Sequence, residues 1–321
     1  MIPSGARFVF KRLGSAAVTL FLVSVLAFAA FSLIPGDPAR VMLGAQAGEE
    51  QVAALRAALG LDGPLIGQYF SWLGGLFTGK AGMSVHYNLP LSALLAERLP
   101  VTLALAAMSL LMIAVISIPA ALFSARREGS FSDRAANALT AAGLSMPQFF
   151  LGILFVWVFG LGLGLFAPGA YVPPDRGAAG FLGYMLFPAF ALAVPGAAIV
   201  TRFLRGSVFQ ELSKDYVRTA LAKGASKGFA LRSHVLKNAL IPALTLFGML
   251  AGELFTGSVV IEQVFNIPGL GRLMLSAVSA RDFPLLQTLS VYIAGIVVLC
   301  NTVVDIVMHT VDPRIRIGGR P

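Results

Sequence analysis

The sequence predicts an all-α polytopic membrane protein of six transmembrane helices, with the N- and C-termini both cytoplasmic. Three observations lead there: a composition suited to lipid, six apolar stretches of spanning length, and a concentration of Lys and Arg in alternate connecting segments. Of the 321 residues, 57% are hydrophobic and only 12% are charged, where a soluble domain carries roughly 25% charged residues. The 34 Gly and 18 Pro fit the same solvent, since both are commoner in membrane helices than in soluble ones.

Crossing a hydrocarbon layer of about 30 Å takes roughly 20 mostly apolar residues. Leu13–Ile34, Val101–Ala125, Met146–Phe166, Phe181–Val200, Leu240–Ile261 and Leu285–Met308 all qualify. The first has Lys11 and Arg12 ahead of it and a cleavage-like Ala27-Phe28-Ala29 triplet, but its apolar run is long for a signal peptide and continues past that triplet. It reads as an uncleaved anchor. With the N-terminus inside, 17 of the 24 Lys and Arg fall in cytoplasmic segments, eight of them between Arg202 and Lys237. Such an asymmetry sets orientation.

The net charge of +9 would suit nucleic acid only if the basic residues shared one folded face. They sit instead in short blocks between apolar runs, so no nucleic-acid partner is expected; the expected surroundings are a lipid bilayer. Cys300 is the only cysteine and lies in an apolar run, which rules out an intrachain disulfide. His86, His234 and His309 lack ligand-like spacing, so no metal site is expected.

Residues 35–97 form a long external loop. It opens on the turn-rich Pro35-Gly36-Asp37-Pro38 and carries an expected short helix at Glu49–Leu59, stopped by Gly60. Two readings stand for this loop: a lid over the helix ends, or a docking or gating element for an external partner. Within it, Gly74 to Ala81 nearly spells a phosphate-binding loop. The match fails at Ala81, which has no hydroxyl for Mg²⁺, and no helix pattern follows. Nor is there a nucleophile elbow, a paired-carboxylate site or a metalloprotease helix. The chain reads as a non-enzyme.

The cytoplasmic loop 201–239 is the most informative segment. Ser213 is a candidate N-cap, and Val217, Ala220, Leu221 and Gly224 recur at helical spacing. Gly224 reads as the C-terminal stop. Ser226 is a candidate cap for a second short helix that places Leu231, Val235 and Ala239 on one side. Pro242 sits near the start of the fifth span, where a helix tolerates it. Two short basic helices at a sharp angle would make a compact protrusion at the membrane surface. The bland alternative is a basic loop that sets topology or binds anionic lipid.

Within the spans, Glu253 and Asp305 are the clearest acidic residues. A charge in the bilayer costs several kcal/mol, about 3 or more near the centre, and normally faces protein or water. Asp305 lies close enough to the cytoplasmic end to reach the interface. Glu253 is more central, near Thr256 and Ser258; these three are pathway candidates, with interhelical hydrogen bonding as the alternative.

Taken together, these stretches resemble the inner-membrane permease subunit of ATP-binding-cassette importers of the dipeptide/oligopeptide/nickel class. The match runs in order along nearly the whole chain. It includes Leu33-Ile34-Pro35-Gly36-Asp37-Pro38-Ala39, Leu59-Gly60-Leu61-Asp62-Gly63-Pro64-Leu65 and Glu97-Arg98-Leu99-Pro100-Val101-Thr102-Leu103. It continues through Ser145-Met146-Pro147, Asp215-Tyr216-Val217-Arg218-Thr219-Ala220 and Ala222-Lys223-Gly224. It ends with Pro268-Gly269-Leu270-Gly271-Arg272, Ala280-Arg281-Asp282-Phe283-Pro284 and Asp312-Pro313-Arg314-Ile315-Arg316.

The resemblance implies a single permease domain over residues 1–321, with the type I importer fold, in a bacterial inner membrane. It implies a second homologous permease as heterodimer partner, two cytoplasmic ATPases that carry the ATP and Mg²⁺, and an external substrate-binding protein. No cofactor would belong to this chain. It makes Asp215, Tyr216, Arg218, Thr219, Ala220, Gly224, Ser226 and Pro242 the ATPase-coupling residues. Arg218 stands where the general family signature has Glu, so an ion pair from Glu is impossible there; the Arg-Thr-Ala form resembles the peptide-class subgroup. Peptides are the first substrate expectation, before nickel or a metal chelate and glutathione-like solutes. An ion-coupled secondary transporter, which needs repeats and midplane relays, is the rival from another class.

Overall fold

The computed structural model describes residues 4–32, 38–44 and 46–311, and helix dominates them. Leu33, Ile34, the Pro35-Gly36-Asp37 part of the expected turn, and Asp312-Pro313-Arg314-Ile315-Arg316 lie outside the described residues.

In chain order the helices are α1 (Ser4–Ser32), α2 (Pro38–Leu43), α3 (Glu49–Ala58), α4 (Leu65–Thr78), α5 (Leu91–Arg126) and α6 (Phe131–Ser145). There follow α7 (Gln148–Phe155), α8 (Ala178–Leu212), α9 (Asp215–Ala222), α10 (Lys227–Ala230), α11 (Leu236–Val264), α12 (Leu270–Ala280) and α13 (Phe283–Val311). π-helical turns at Val156–Gly162 and Leu231–Val235 extend α7 and join α10 to α11.

Among the described residues, five helices are long and apolar enough to cross a membrane: Arg7–Ser32, α5, α8, Lys227–Val264 and α13. A sixth is counted if α6 and the Gln148–Gly162 helix form one broken span, bent by 104°. The bend falls where the sequence directs it. Pro147 disfavours the helical region for the residue before it, and Met146 is accordingly extended (φ −91°, ψ 123°). The third expected span, Met146–Phe166, is thus helical only over eight α and seven π residues, about 22 Å at the α-helical rise. That is shorter than the roughly 30 Å layer. The other long helices outrun their apolar stretches, because polar residues continue a helix once it has emerged from lipid. α1 runs without a break through Ala27-Phe28-Ala29.

The chain divides into two compact units. One comprises residues 1–6, 103–267 and 300–321. In it α8 packs against α6, α7 and α11. The fit depends on close approach: a Cβ on Gly257 of α11 would lie 2.0 Å from Oε1 of Gln148 and 2.9 Å from Cδ1 of Leu192. At its basic end a buried cluster joins Ala121, Leu204, Val208, Val217, Leu231, Val235 and Ala239.

The other unit comprises residues 7–102 and 268–299. Its core gathers Leu91, Leu94 and Leu95 with Leu270, Leu273, Ala277, Leu285 and Leu289. α3 matches the helix expected in the external loop, and Gly60 (φ +67°) follows its C-cap as its stop. α4 and α12 were not expected. α4 is pinned by Tyr69 Oη to Ser24 Oγ (2.9 Å), Trp72 Nε1 to Thr288 Oγ1 (3.4 Å), and Tyr292 Oη, which donates to Leu76 O (3.0 Å). The near phosphate loop is the C-terminal end of α4, with Gly79 as a left-handed cap (φ 72°). A helix C-terminus offers carbonyls and a partial negative charge, the opposite of what a phosphate needs.

Candidate functional site

The segment from Ser213 to Pro242 forms one short helix, a tight turn, and the start of a long helix. Ser213 does not cap α9: it closes α8, its Oγ donating to Gln210 O (2.8 Å), and Lys214 stands at the N-cap position. The reason is that helix α8 carries on through residues 201–212, leaving a break of two residues before α9. α9 ends as Gly224 predicts. Gly224 has φ +88°, its N–H donates to Leu221 O (3.0 Å), and the N–H of Ala225 donates to Ala220 O (3.1 Å). Those two bonds make a Schellman motif, which satisfies carbonyls the helix leaves over.

Ser226 then caps α10, its Oγ accepting from Phe229 N at 3.2 Å. The second helix is not separate. It runs on through the π turn into the fifth span as one helix, Lys227–Val264, because Leu231, Val235 and Ala239 supply a continuous buried stripe. Pro242 lies inside it. Lacking an N–H, Pro242 cannot bond back to the carbonyl one turn earlier, so the stem is locally weakened there.

Val217 alone of α9 is buried. Asp215, Arg218 and Thr219 are exposed, with Ala220 half-buried. Arg218 Nη1 lies 3.5 Å from Asp215 Oδ1 on this exposed face, a pair of small energetic consequence. Tyr216 does more. Its phenol donates to Glu211 Oε2 at 2.6 Å and accepts from Asn238 Nδ2 at 3.1 Å. Glu211, at the end of α8, is 9% exposed and also pairs with Lys214. Burial first, and then the Glu211 carboxylate, push the Tyr216 pKa above its usual value. Glu211 and Asn238 are residues that sequence reasoning passed over. They tie α9 at its base to both α8 and α11.

A second cluster missed from the sequence lies between α5, α6 and α8. Asp133, 3% exposed, accepts from Ser124 Oγ, from Arg205 Nη2 (3.0 Å), from Gly129 N (3.1 Å) and from Asn137 Nδ2 (3.1 Å). Arg205 Nε also donates to Ser124 Oγ (2.8 Å). No local pattern announces it, since its members come from three helices.

The pathway candidates separate. Glu253 and Thr256 share an exposed face of α11, whereas Ser258 is fully buried and donates to Phe255 O (2.9 Å). A single-residue step of about 100° around a helix sets the last apart from the other two.

Comparison with known proteins agrees with this architecture. The model of the "Binding-protein-dependent transport system inner membrane component" matches residues 117–317, and its N-terminal counterpart matches residues 5–106. A Sinorhizobium fredii protein described as a "probable peptide ABC transporter permease protein" is 37% identical over 96% of this chain and 99% of its own. A dipeptide transport system permease protein of Lactococcus lactis is 36% identical over 97% of this chain and 99% of its own. A glutathione transport system permease protein of Escherichia coli is 37% identical over 96% and 98%. With both family models and whole-length relatives aligned to it, the chain belongs to the family of inner-membrane components of binding-protein-dependent transport systems.

Proposed function

We propose that this chain forms half of the translocation pathway of an ATP-driven importer of di- and oligopeptides in a bacterial inner membrane, working by alternating access. A second homologous permease completes the heterodimer. Two cytoplasmic ATPase subunits hold the ATP and Mg²⁺, and a substrate-binding protein delivers peptide at the outer face. The peptide class is supported by the names of the Sinorhizobium and Lactococcus relatives. The Escherichia relative favours glutathione, itself a small acidic peptide, as the second reading.

The observation that carries this proposal is the mounting of α9. A short helix with an exposed polar face is held by one buried side chain, Val217, and by the Tyr216 phenol, which donates to Glu211 and accepts from Asn238. A groove on an ATPase can seat that exposed face. When ATP closes the ATPase pair, force on α9 passes through Tyr216 and Asn238 into the long helix Lys227–Val264, and through Glu211 into α8. The ATPase-coupling residues are therefore Asp215, Tyr216, Arg218, Thr219, Ala220, Gly224, Ser226 and Pro242. Glu253 and Thr256, on their exposed face, are the stronger pathway candidates.

The test is uptake by the reconstituted complex with Gly224→Trp. Uptake should be lost, and peptide should no longer stimulate ATP hydrolysis. Intact uptake and stimulation in that variant would sink the coupling assignment. Uptake driven by a proton or sodium gradient without any ATPase subunit would instead favour the secondary transporter.

A further inference from the structure

Helix α4 lies in the segment that the sequence places outside the membrane, yet it carries no Asp, Glu, Lys, Arg or His. One of its faces is fixed to two candidate spans. Tyr69 Oη and Ser24 Oγ of α1 share a hydrogen bond (2.9 Å), and Trp72 Nε1 donates to Thr288 Oγ1 of α13 (3.4 Å). Tyr292 Oη of α13 donates to Leu76 O (3.0 Å). The ring of Phe28 in α1 packs on Tyr69 (5.4 Å) and Trp72 (5.8 Å).

These partners fix a depth. α1 and α13 run antiparallel: Phe31 meets Phe283 (6.1 Å between rings), and a Cβ on Gly295 would lie 3.9 Å from Cδ2 of Leu20. Phe31 and Phe283 stand at the outer ends of the two apolar stretches, with Arg281 and Asp282 just before the second. At the helical rise, Ser24 lies about 10 Å below Phe31, and Thr288 and Tyr292 about 7 and 13 Å below Phe283. One leaflet is roughly 15 Å deep, half of the hydrocarbon layer. All three bonds therefore fall inside the outer leaflet. At about 21 Å, α4 is too short to cross the layer. Charged residues bracket it instead, Asp62 before and Lys80 after, both exposed.

The opposite face of α4 is apolar and exposed. Ile66, Phe70 and Phe77 are 73%, 60% and 84% exposed and fall within about 40° of one another around the helix. Lipid accepts such a face, but it does not accept backbone groups left without partners. The ends of α4 meet that demand. Gln68 Nε2 donates to Leu61 O (3.0 Å) and Gly63 O (2.7 Å) at the entry; Lys80 N donates to Gly75 O (2.9 Å) and Thr78 Oγ1 to Gly74 O (3.1 Å) at the exit. We propose that α4 is a re-entrant helix seated in the outer leaflet, with Ile66, Phe70 and Phe77 against lipid acyl chains. The loop 35–97 is then anchored in the membrane at its middle. This inference depends on the placement of α1 and α13 as spans and not on what is transported.

The test is fluorescence quenching of the full-length chain in phosphatidylcholine nanodiscs. With Cys300→Ala as background, Ile66→Cys, Phe70→Cys and Phe77→Cys would each carry a small thiol-linked fluorophore, and Ala54→Cys on the exposed face of α3 serves as the control. Lipid brominated midway along its acyl chains should quench the three α4 probes and spare the control. Iodide should quench them at least about tenfold less than the control, because an ion at this depth costs several kcal/mol. A second measurement leaves α4 unaltered: Trp157→Phe makes Trp72 the only tryptophan, and brominated lipid should quench it where iodide does not. Iodide quenching equal to the control would put the face in water and overturn the proposal. Quenching by neither agent would show protein packed over it and overturn it too. Lipid quenching that disappears once the second permease is assembled would assign the face to that subunit, again against the proposal.

Discussion

The phenol of Tyr216, in the first turn of α9, donates to Oε2 of Glu211 at the end of α8 across 2.6 Å. Together with the bond from Asn238 Nδ2 to the same phenol and the buried Val217, this bond joins the exposed helix to α8 and α11. Tyr216→Phe removes it and leaves a buried carboxylate with one donor fewer. A hydrogen bond to a charged acceptor contributes about 1.5–3 kcal/mol, and partial exposure of Tyr216 places the loss at the low end. Backbone amides of residues 215–222 should exchange hydrogen about tenfold faster in the variant, while those of α11 stay as they were.

The same bond gives a pH expectation. Burial, then Glu211, raise the Tyr216 pKa. A raised folded-state pKa contributes stability that is fully present below the unfolded value of about 10 and is lost as pH rises through the folded one. Exchange protection of α9 should therefore be flat from pH 6 to 9, leaving aside intrinsic exchange rates, and should fall only in strong alkali. The Phe variant should lose that alkaline fall.

Gly224 holds φ +88° with open space around it, since a Cβ there would meet nothing within 4 Å. The effect of Gly224→Ala is thus backbone strain alone, about 1 kcal/mol. Asn, which visits the left-handed region more readily, should be tolerated better. On the coupling role proposed for this turn, uptake by the reconstituted complex should rank glycine, asparagine, alanine in falling order, with tryptophan last through its bulk on the proposed docking face.

Arg205 supplies two donors to the Ser124–Asp133 pair. Arg205→Ala leaves Asp133 with fewer partners at 3% exposure and should lower the melting temperature in detergent by several degrees. Lysine should rescue only in part, since a point charge cannot reach both acceptors as a guanidinium fork does.

Gly257→Ala should also lower the melting temperature, because its Cβ enters the space of Gln148 and Leu192; overpacking of this kind costs about 1–3 kcal/mol. Gly183→Ala, in the α8 interior with nothing within 4 Å of its Cβ, is the control. It should raise stability by about 0.5–1 kcal/mol.

By itself the amino-acid sequence determined the features that depend on neighbours along the chain. Apolar run length marked the long helices. Gly60 and Gly224 marked helix ends and Ser226 a cap, because each acts through backbone atoms a few residues away. The stop signal at Pro147 was equally local, yet the size of the bend was not: 104° between α6 and α7 depends on how both lie against α8. Ser213 misled because a cap needs a helix that has ended before it, and α8 runs to Leu212.

Tertiary structure alone decided the rest. It joined the second cytoplasmic helix to the fifth span, since burial of Leu231, Val235 and Ala239 stabilises a continuous helix over a turn. It placed Glu253 and Ser258, five residues apart, on exposed and buried surfaces. It also brought Arg205 to Ser124 and Asp133 across a long stretch of chain. Charges so distant in sequence become partners only when packing removes the water between them, and no local pattern records that.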